Sequence, residues 1–189
     1  WKTDRHAATC LLTGVVTDTA AFQNTNVTPA TLEAASQLLR RGARLKDIIR
    51  HCYYSSTVAK LRLWGIAMAR MERSPQVAGV LSSVITAEDI AMTGASPDDI
   101  EGLVDFLKSV PGLEAMLLLT DLREGEIKGS LRAGRSDVDI SGLARLLGGG
   151  GHAQAAGFRV PGRLVQSTDD TWIVEPESAS EPTAATTTP

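Results

Sequence analysis

The chain has 189 residues and a formal net charge of −3, which excludes the basic balance of a protein that grips long nucleic acid along an extended surface. One focused basic cleft would still hold a short polyanion. Hydrophobic residues at 43% and aromatics at 4% predict an aliphatic core in one domain or two small ones, and no apolar run has the length of a membrane span.

The opening Trp1-Lys2-Thr3-Asp4-Arg5 is not a secretory leader. It reads as the start of a chain whose front is missing, in a cytoplasmic protein. Cys10-Leu11-Leu12-Thr13-Gly14-Val15-Val16 is an apolar run rich in β-formers, read as a buried parallel strand. Cys10 and Cys52 are expected as buried free thiols rather than a disulfide. Asp18 closes the run, where ligands gather in open α/β sheets, although an Asp there is more often a turn or cap residue. Thr28-Pro29 then starts a helix that stops at Gly42. A short helix over 45–51 and a longer one to Met71 follow. His6 and His51 lack metal-ligand spacing and read as solvated or helix-end residues.

Ser74-Pro75 breaks the chain and opens a new unit. A strand over 77–85 and a helical turn over 87–92 precede Ser96-Pro97-Asp98-Asp99, a helix start with acids in its first turn. Ile100, Leu103, Val104 and Leu107 recur at helical spacing. A buried strand over 116–119 is followed by a turn at Glu124-Gly125 and an alternating strand over 127–133. There Lys128, Ser130 and Arg132 share one face, either a solvated strand face or an anion-facing stripe. Arg135, in the next turn, is a secondary candidate, and Asp137-Val138-Asp139 reads as turn plus helix cap. A helix with Ile140, Leu143, Ala144 and Leu147 apolar delivers the chain into Gly148-Gly149-Gly150-Gly151-His152. A glycine run this long is a linker or an anion cradle whose N–H groups turn inward. Its apolar flanks favour the cradle, with a helical turn opening at Ala153–Ala156. Beyond Pro161 the chain turns polar, so residues 163–189 are expected to be disordered.

Gly-Gly-Gly-Gly-His followed by Ala155-Ala156-Gly157-Phe158 resembles the signature of the C-terminal, DHH-associated domain of the DHH phosphoesterases. Thr17-Asp18-Thr19-Ala20-Ala21-Phe22, with the loop to Asn26, resembles that family's fourth motif, with Ala20 where the family has glycine. Ser130-Leu131-Arg132-Ala133 resembles its Ser-x-Arg-Ser strand. Within the family the resemblance is to the nanoRNase type, the oligoribonuclease and 3′-phosphoadenosine-5′-phosphate (pAp) phosphatases.

That resemblance implies an α/β protein. Residues 1–54 would be the C-terminal part of a parallel-sheet DHH domain, 55–75 a helical linker, and 76–162 a smaller mixed-sheet substrate-binding domain. It further implies a two-manganese hydrolase of short RNA or pAp, with Asp18 as catalytic metal ligand. Asn26, Arg132, Gly149, Gly150, Gly151 and His152 would hold substrate. The implied partners are a short RNA or nucleotide and a second copy meeting through the catalytic domain, with no membrane. One carboxylate cannot hold two cations, so this chain alone is expected to be catalytically inert while keeping a substrate cradle. Two alternatives stand beside this one: a cyclic-dinucleotide phosphodiesterase and a non-catalytic nucleic-acid-binding module.

Overall fold

The computed structural model describes residues 3–24, 26–74, 77–107, 110–121, 125–168 and 171–176. Pro75, Glu124 and the tail after residue 176 lie outside the described residues. The chain divides into two compact units, Trp1–Thr57 and Val58–Pro189.

The first unit is helical. Helix α1 (Arg5–Asp18) opens on Asp4, whose carboxylate accepts from the Ala7 amide at 2.8 Å. This corrects the expected strand over 10–16, and the cause is visible in the side chains. Ala8, Leu12 and Val16, four residues apart, are all fully buried. Thr9, Thr13 and Thr17 donate their hydroxyls to the carbonyls four residues back, at 2.8, 2.9 and 3.0 Å. No strand among the described residues of this unit is available for pairing, so the backbone satisfies itself internally as a helix. The parallel-sheet expectation for residues 1–54 is corrected with it.

Helix α2 (Pro29–Arg40) begins at the predicted Thr28 cap, reciprocated by Thr31, and the chain turns at Gly42 with φ +86°. With α3 (Leu45–Tyr53) these helices enclose Ala8, Leu12, Val16, Ala35, Ala43 and Ile48. Cys10 and Cys52 sit on outer helix faces and are exposed, not buried.

The second unit is a mixed α/β sandwich, as expected. It contains α4 (Val58–Ala69), β1 (Glu72–Arg73), β2 (Val80–Ile85) and α5 (Ala87–Thr93). A 3-10 turn (Pro97–Ile100) and α6 (Leu103–Leu107) follow, then β3 (Ala115–Asp121) and β4 (Glu126–Ala133). The predicted single helix from Ser96 is thus split, because Gly102 adopts φ +86° between its two halves. Next come α7 (Ser141–Leu146), β5 (Gly150–His152), β6 (Ala155–Pro161), β7 (Arg163–Gln166) and β8 (Trp172–Glu175).

Strands β1 to β6 form one sheet in the order β1-β2-β3-β4-β6-β5, parallel only between β2 and β3. One face is buried under α4 and α6 through Leu63, Ala67, Leu103, Val104, Met116 and Leu118. On the other face Ile140, just before α7, and Ala144 within it pack against Leu131, Ala156 and Phe158.

The expected disorder is corrected for Arg163–Gln166 and Trp172–Glu175: β7 and β8 pair as antiparallel strands. Leu164, Trp172 and Val174 join Val84 and Ile127 in a small core of their own. That burial outweighs the polar composition which suggested a tail. Among the described residues, no helix is long and apolar enough to cross a membrane.

Candidate functional site

The alternation of β4 places Ile127, Gly129, Leu131 and Ala133 in the core and turns Lys128, Ser130 and Arg132 to the opposite face. Directly opposed residues of antiparallel strands share a face, so the register defines what lies beside this stripe. Arg132 pairs with Ala155 of β6, and Ala155 pairs with His152 of β5. Arg132 and His152 therefore stand in one row, two strand spacings or roughly 10 Å apart. The next row runs Ser130, Gly157, Gly150. The result is a strip of bare backbone bounded by a guanidinium and an imidazole.

The glycine run is built differently from the predicted nest. Gly148, at φ +74°, ends α7 in the left-handed conformation, and the amides of Gly148 and Gly149 donate to Arg145 and Ala144 carbonyls at 3.1 and 2.8 Å. They satisfy carbonyls that a helix C-terminus leaves open, so they are not turned towards a ligand. Residues 150–152 form an edge strand, and Ala153–Gln154 is the hairpin turn rather than the start of a helix.

A Cβ at Gly149 would meet the Gly157 carbonyl oxygen at 2.1 Å, and one at Gly151, where φ is +137°, the Ala155 oxygen at 2.6 Å. Gly150 has nothing within 4 Å of a Cβ. Gln154, passed over in the sequence because it lies in a turn, donates its side-chain amide to Ser136 and Val138 carbonyls at 3.2 and 3.0 Å. It anchors the turn beside His152.

Arg132 is engaged on the protein side. Its Nε and Nη2 donate to the two oxygens of Asp105 at 2.7 and 3.2 Å, and Nη1 donates to the Leu131 carbonyl at 3.0 Å. Three of five guanidinium donors are used. The plane is fixed while donors remain for an incoming anion. Arg135 pairs instead with Asp137, at 3.0 and 2.5 Å. Asp139 accepts from the Ser141 hydroxyl and amide at 2.6 and 2.8 Å. Those bonds from Ser141 hold the Asp139 carboxyl below the ordinary carboxylate value; Asp139 braces the turn into α7, whose N-cap is Ile140 rather than the expected aspartate.

In the first unit Asp18 is the last residue of α1, exposed, not the end of a strand. Asn26 donates its amide to the Asp18 carboxylate at 3.1 Å, so the two predicted residues do meet. Asn24 donates to the Asp18 carbonyl at 3.1 Å. Ala20, Ala21 and Phe22 all have positive φ, at 46°, 56° and 67°. Ala20 thus occupies a backbone state that favours glycine. Among the described residues, no three His, Cys, Asp or Glu side chains converge as a metal site. A metal pair needs several carboxylates, so these residues by themselves do not fit one.

The second unit is a small mixed-sheet domain whose sheet brings Arg132 and His152 into one row. Residues 78–171 match the DHHA1 domain, and this part of the chain is a DHHA1 domain. The chain is homologous to the bifunctional oligoribonuclease and PAP phosphatase NrnA of Thermus thermophilus, 31% identical over 155 residues, which cover 82% of this chain and 45% of the relative. The A-adding tRNA nucleotidyltransferase of Geobacter sulfurreducens is 30% identical over 162 residues, covering 84% of this chain and 17% of that protein. Among solved structures, an exopolyphosphatase-related protein from Bacteroides fragilis superposes with a TM-score of 0.75 at 27% identity, over 82% of this chain and 45% of that one. The chain spans less than half the length of each of these proteins.

Proposed function

We propose that this chain is the substrate-holding part of a metal-dependent phosphoesterase that hydrolyses short oligoribonucleotides or pAp. The observation that carries this reading is the row Arg132–Ala155–His152 beside the bare-backbone row Ser130–Gly157–Gly150. Arg132 offers its remaining N–H donors to a phosphate, and His152 offers a ring N–H. Gly150 and Gly157 leave the floor open, while Gly149 and Gly151 fix the hairpin that carries them.

Asp18, braced by Asn26, would contribute one ligand to a manganese pair whose other carboxylates are not among the described residues. Bound metal would supply polarisation of the phosphate and activation of water. The homology to NrnA supports this reading. The match to a tRNA nucleotidyltransferase over a similar stretch supports a second one, in which the module holds RNA without hydrolysing it.

Calorimetric titration of pAp and of a linear dinucleotide, without metal, tests the shared part of both readings. The parent chain should bind, and His152→Ala should weaken binding by on the order of 1–3 kcal/mol. No binding by the parent would sink both. Tighter binding of a cyclic than of a linear dinucleotide would move the proposal to cyclic-dinucleotide hydrolysis. Hydrolysis on addition of manganese to a longer natural chain that supplies the other carboxylates would separate enzyme from holder.

A further inference from the structure

Arg132 also lines a cleft of about 480 Å³, between the sheet and the segment formed by the 3-10 turn and α6. The cleft mixes charges. Lys128, Ser130 and Arg132 line it from β4, and Asp98, Glu101 and Asp105 from the opposing segment. One of these acids already stands where an anion would. Asp105 accepts from Arg132 Nε at 2.7 Å and from Nη2 at 3.2 Å, one oxygen to each. Two neighbouring N–H groups on one edge are what lets a guanidinium grip a phosphate through two oxygens. That edge of Arg132 is held by the protein's own carboxylate.

The packing lets this carboxylate leave without disturbing the fold. Leu103, Val104 and Leu107 are buried and pin α6 in the core, so only the Asp105 side chain, 45% exposed, has to turn into water. Arg132 keeps its third bond, to the Leu131 carbonyl, and stays in place. One N–H on each of Nη1 and Nη2 remains for the first contact with an incoming phosphate. Phosphate and carboxylate on one guanidinium then repel each other.

We propose that Asp105 is a built-in competitor for the phosphate site, displaced from Arg132 as substrate binds and returning to it as product leaves. This rests on the phosphate-holding reading above and adds the residue that sets how tightly Arg132 holds. Every ligand that takes the Nε–Nη2 edge has its apparent affinity lowered by the fraction of molecules in which Asp105 has let go. A ribose hydroxyl or a base carbonyl lacks the charge to displace a carboxylate, so Asp105 also reserves that edge for anions.

The test is a set of pAp titrations into the 189-residue chain, without metal, each variant also being melted. Asp105→Asn, which keeps the shape and removes the charge, should bind pAp about fivefold tighter than the parent, as expected when a part-exposed ion pair no longer has to be exchanged. Its melting temperature should stay close to the parent's. Glu101→Gln removes charge from the same cleft at a residue not bonded to Arg132 and should change affinity by less than about twofold. Arg132→Ala should weaken binding by about tenfold or more, and adding Asp105→Asn to it should bring no gain, since nothing is left to unmask. Unchanged or weaker binding by Asp105→Asn would overturn the competitor role and leave the phosphate-holding reading standing. An equal gain from Glu101→Gln, or a gain that persists beside Arg132→Ala, would overturn it as an effect of charge alone. Binding by Arg132→Ala equal to the parent's, or no binding by parent and Asp105→Asn alike, would remove reading and competitor together.

Discussion

At Asp89 a single carboxylate serves several donors at once. Its Oδ2 accepts from the Thr86 amide at 2.8 Å and the Thr86 hydroxyl at 2.9 Å, and both oxygens pair with Arg70. Arg70 also lies over the Trp172 ring, 5.0 Å from its centre, so one cluster ties the end of α4, the start of α5 and the C-terminal hairpin together. Burial by itself pushes the Asp89 acid up, but the bonds from Arg70 and Thr86 outweigh it and the net shift is downward. A folded-state value below the unfolded one means the contribution is fully present above the ordinary carboxylate range. It is lost as pH falls through the depressed value. Asp89→Asn should therefore cost about 2–4 kcal/mol at neutral pH and flatten the acid limb of stability. Thermal melts of parent and variant at pH 7 and at pH 3 read both effects, and equal losses at the two pH values would contradict this role. The Arg132–Asp105 pair resembles it in chemistry but not in exposure, at 24% and 45%. Such a pair contributes little to stability, which leaves Arg132 available to exchange partners.

At the scale of elements, four consecutive glycines have separate duties. Gly149→Ala would drive a Cβ into the backbone of β6, 2.1 Å from the Gly157 oxygen, and should cost about 2 kcal/mol or more. Gly150→Ala meets no atom within 4 Å and should leave the melting temperature unchanged while weakening pAp binding, because its methyl group would stand on the proposed substrate floor. Melting curves and titrations of the two variants give that crossed pattern, and loss of stability at Gly150 would refute the open-floor assignment. Much of this site was legible in the sequence. The period-two alternation of 127–133 put Lys128, Ser130 and Arg132 on one face, and the resemblance singled out the glycines and His152. Asp105 was not legible, because the contact spans 27 positions and the local sequence marks it only as a helical acid. The run 10–16 was misread because β-branched residues and an apolar stretch do not by themselves separate strand from buried helix. What distinguishes them is whether a partner strand is present, and a single segment does not carry that information. The hairpin over 163–175 was missed for a related reason: two four-residue strands are too short to show a period.

For the whole molecule, the net charge of −3 constrains how a nucleotide can be held. A chain with more acids than bases cannot recruit RNA through its overall field, and its second unit concentrates the useful cations on one short stripe of β4. Asp98, Glu101 and Asp105 share one cleft with Lys128 and Arg132 of that stripe, so the attractive region is bounded as well as small. Binding should then involve few phosphate contacts, Arg132 and one further donor, rather than a tract of Lys and Arg. With about two contacts at about 0.7 each, log K for a dinucleotide should fall against log salt with a slope of roughly −1.4. Lengthening the ligand to a decanucleotide should leave that slope nearly unchanged if the Lys128–Arg132 stripe alone holds phosphate. Titrations across a range of salt concentrations with both ligands measure the two slopes. A slope that steepens in proportion to length would mean an extended nucleic-acid track. A constant shallow slope is what a holder of chain ends and very short RNAs requires.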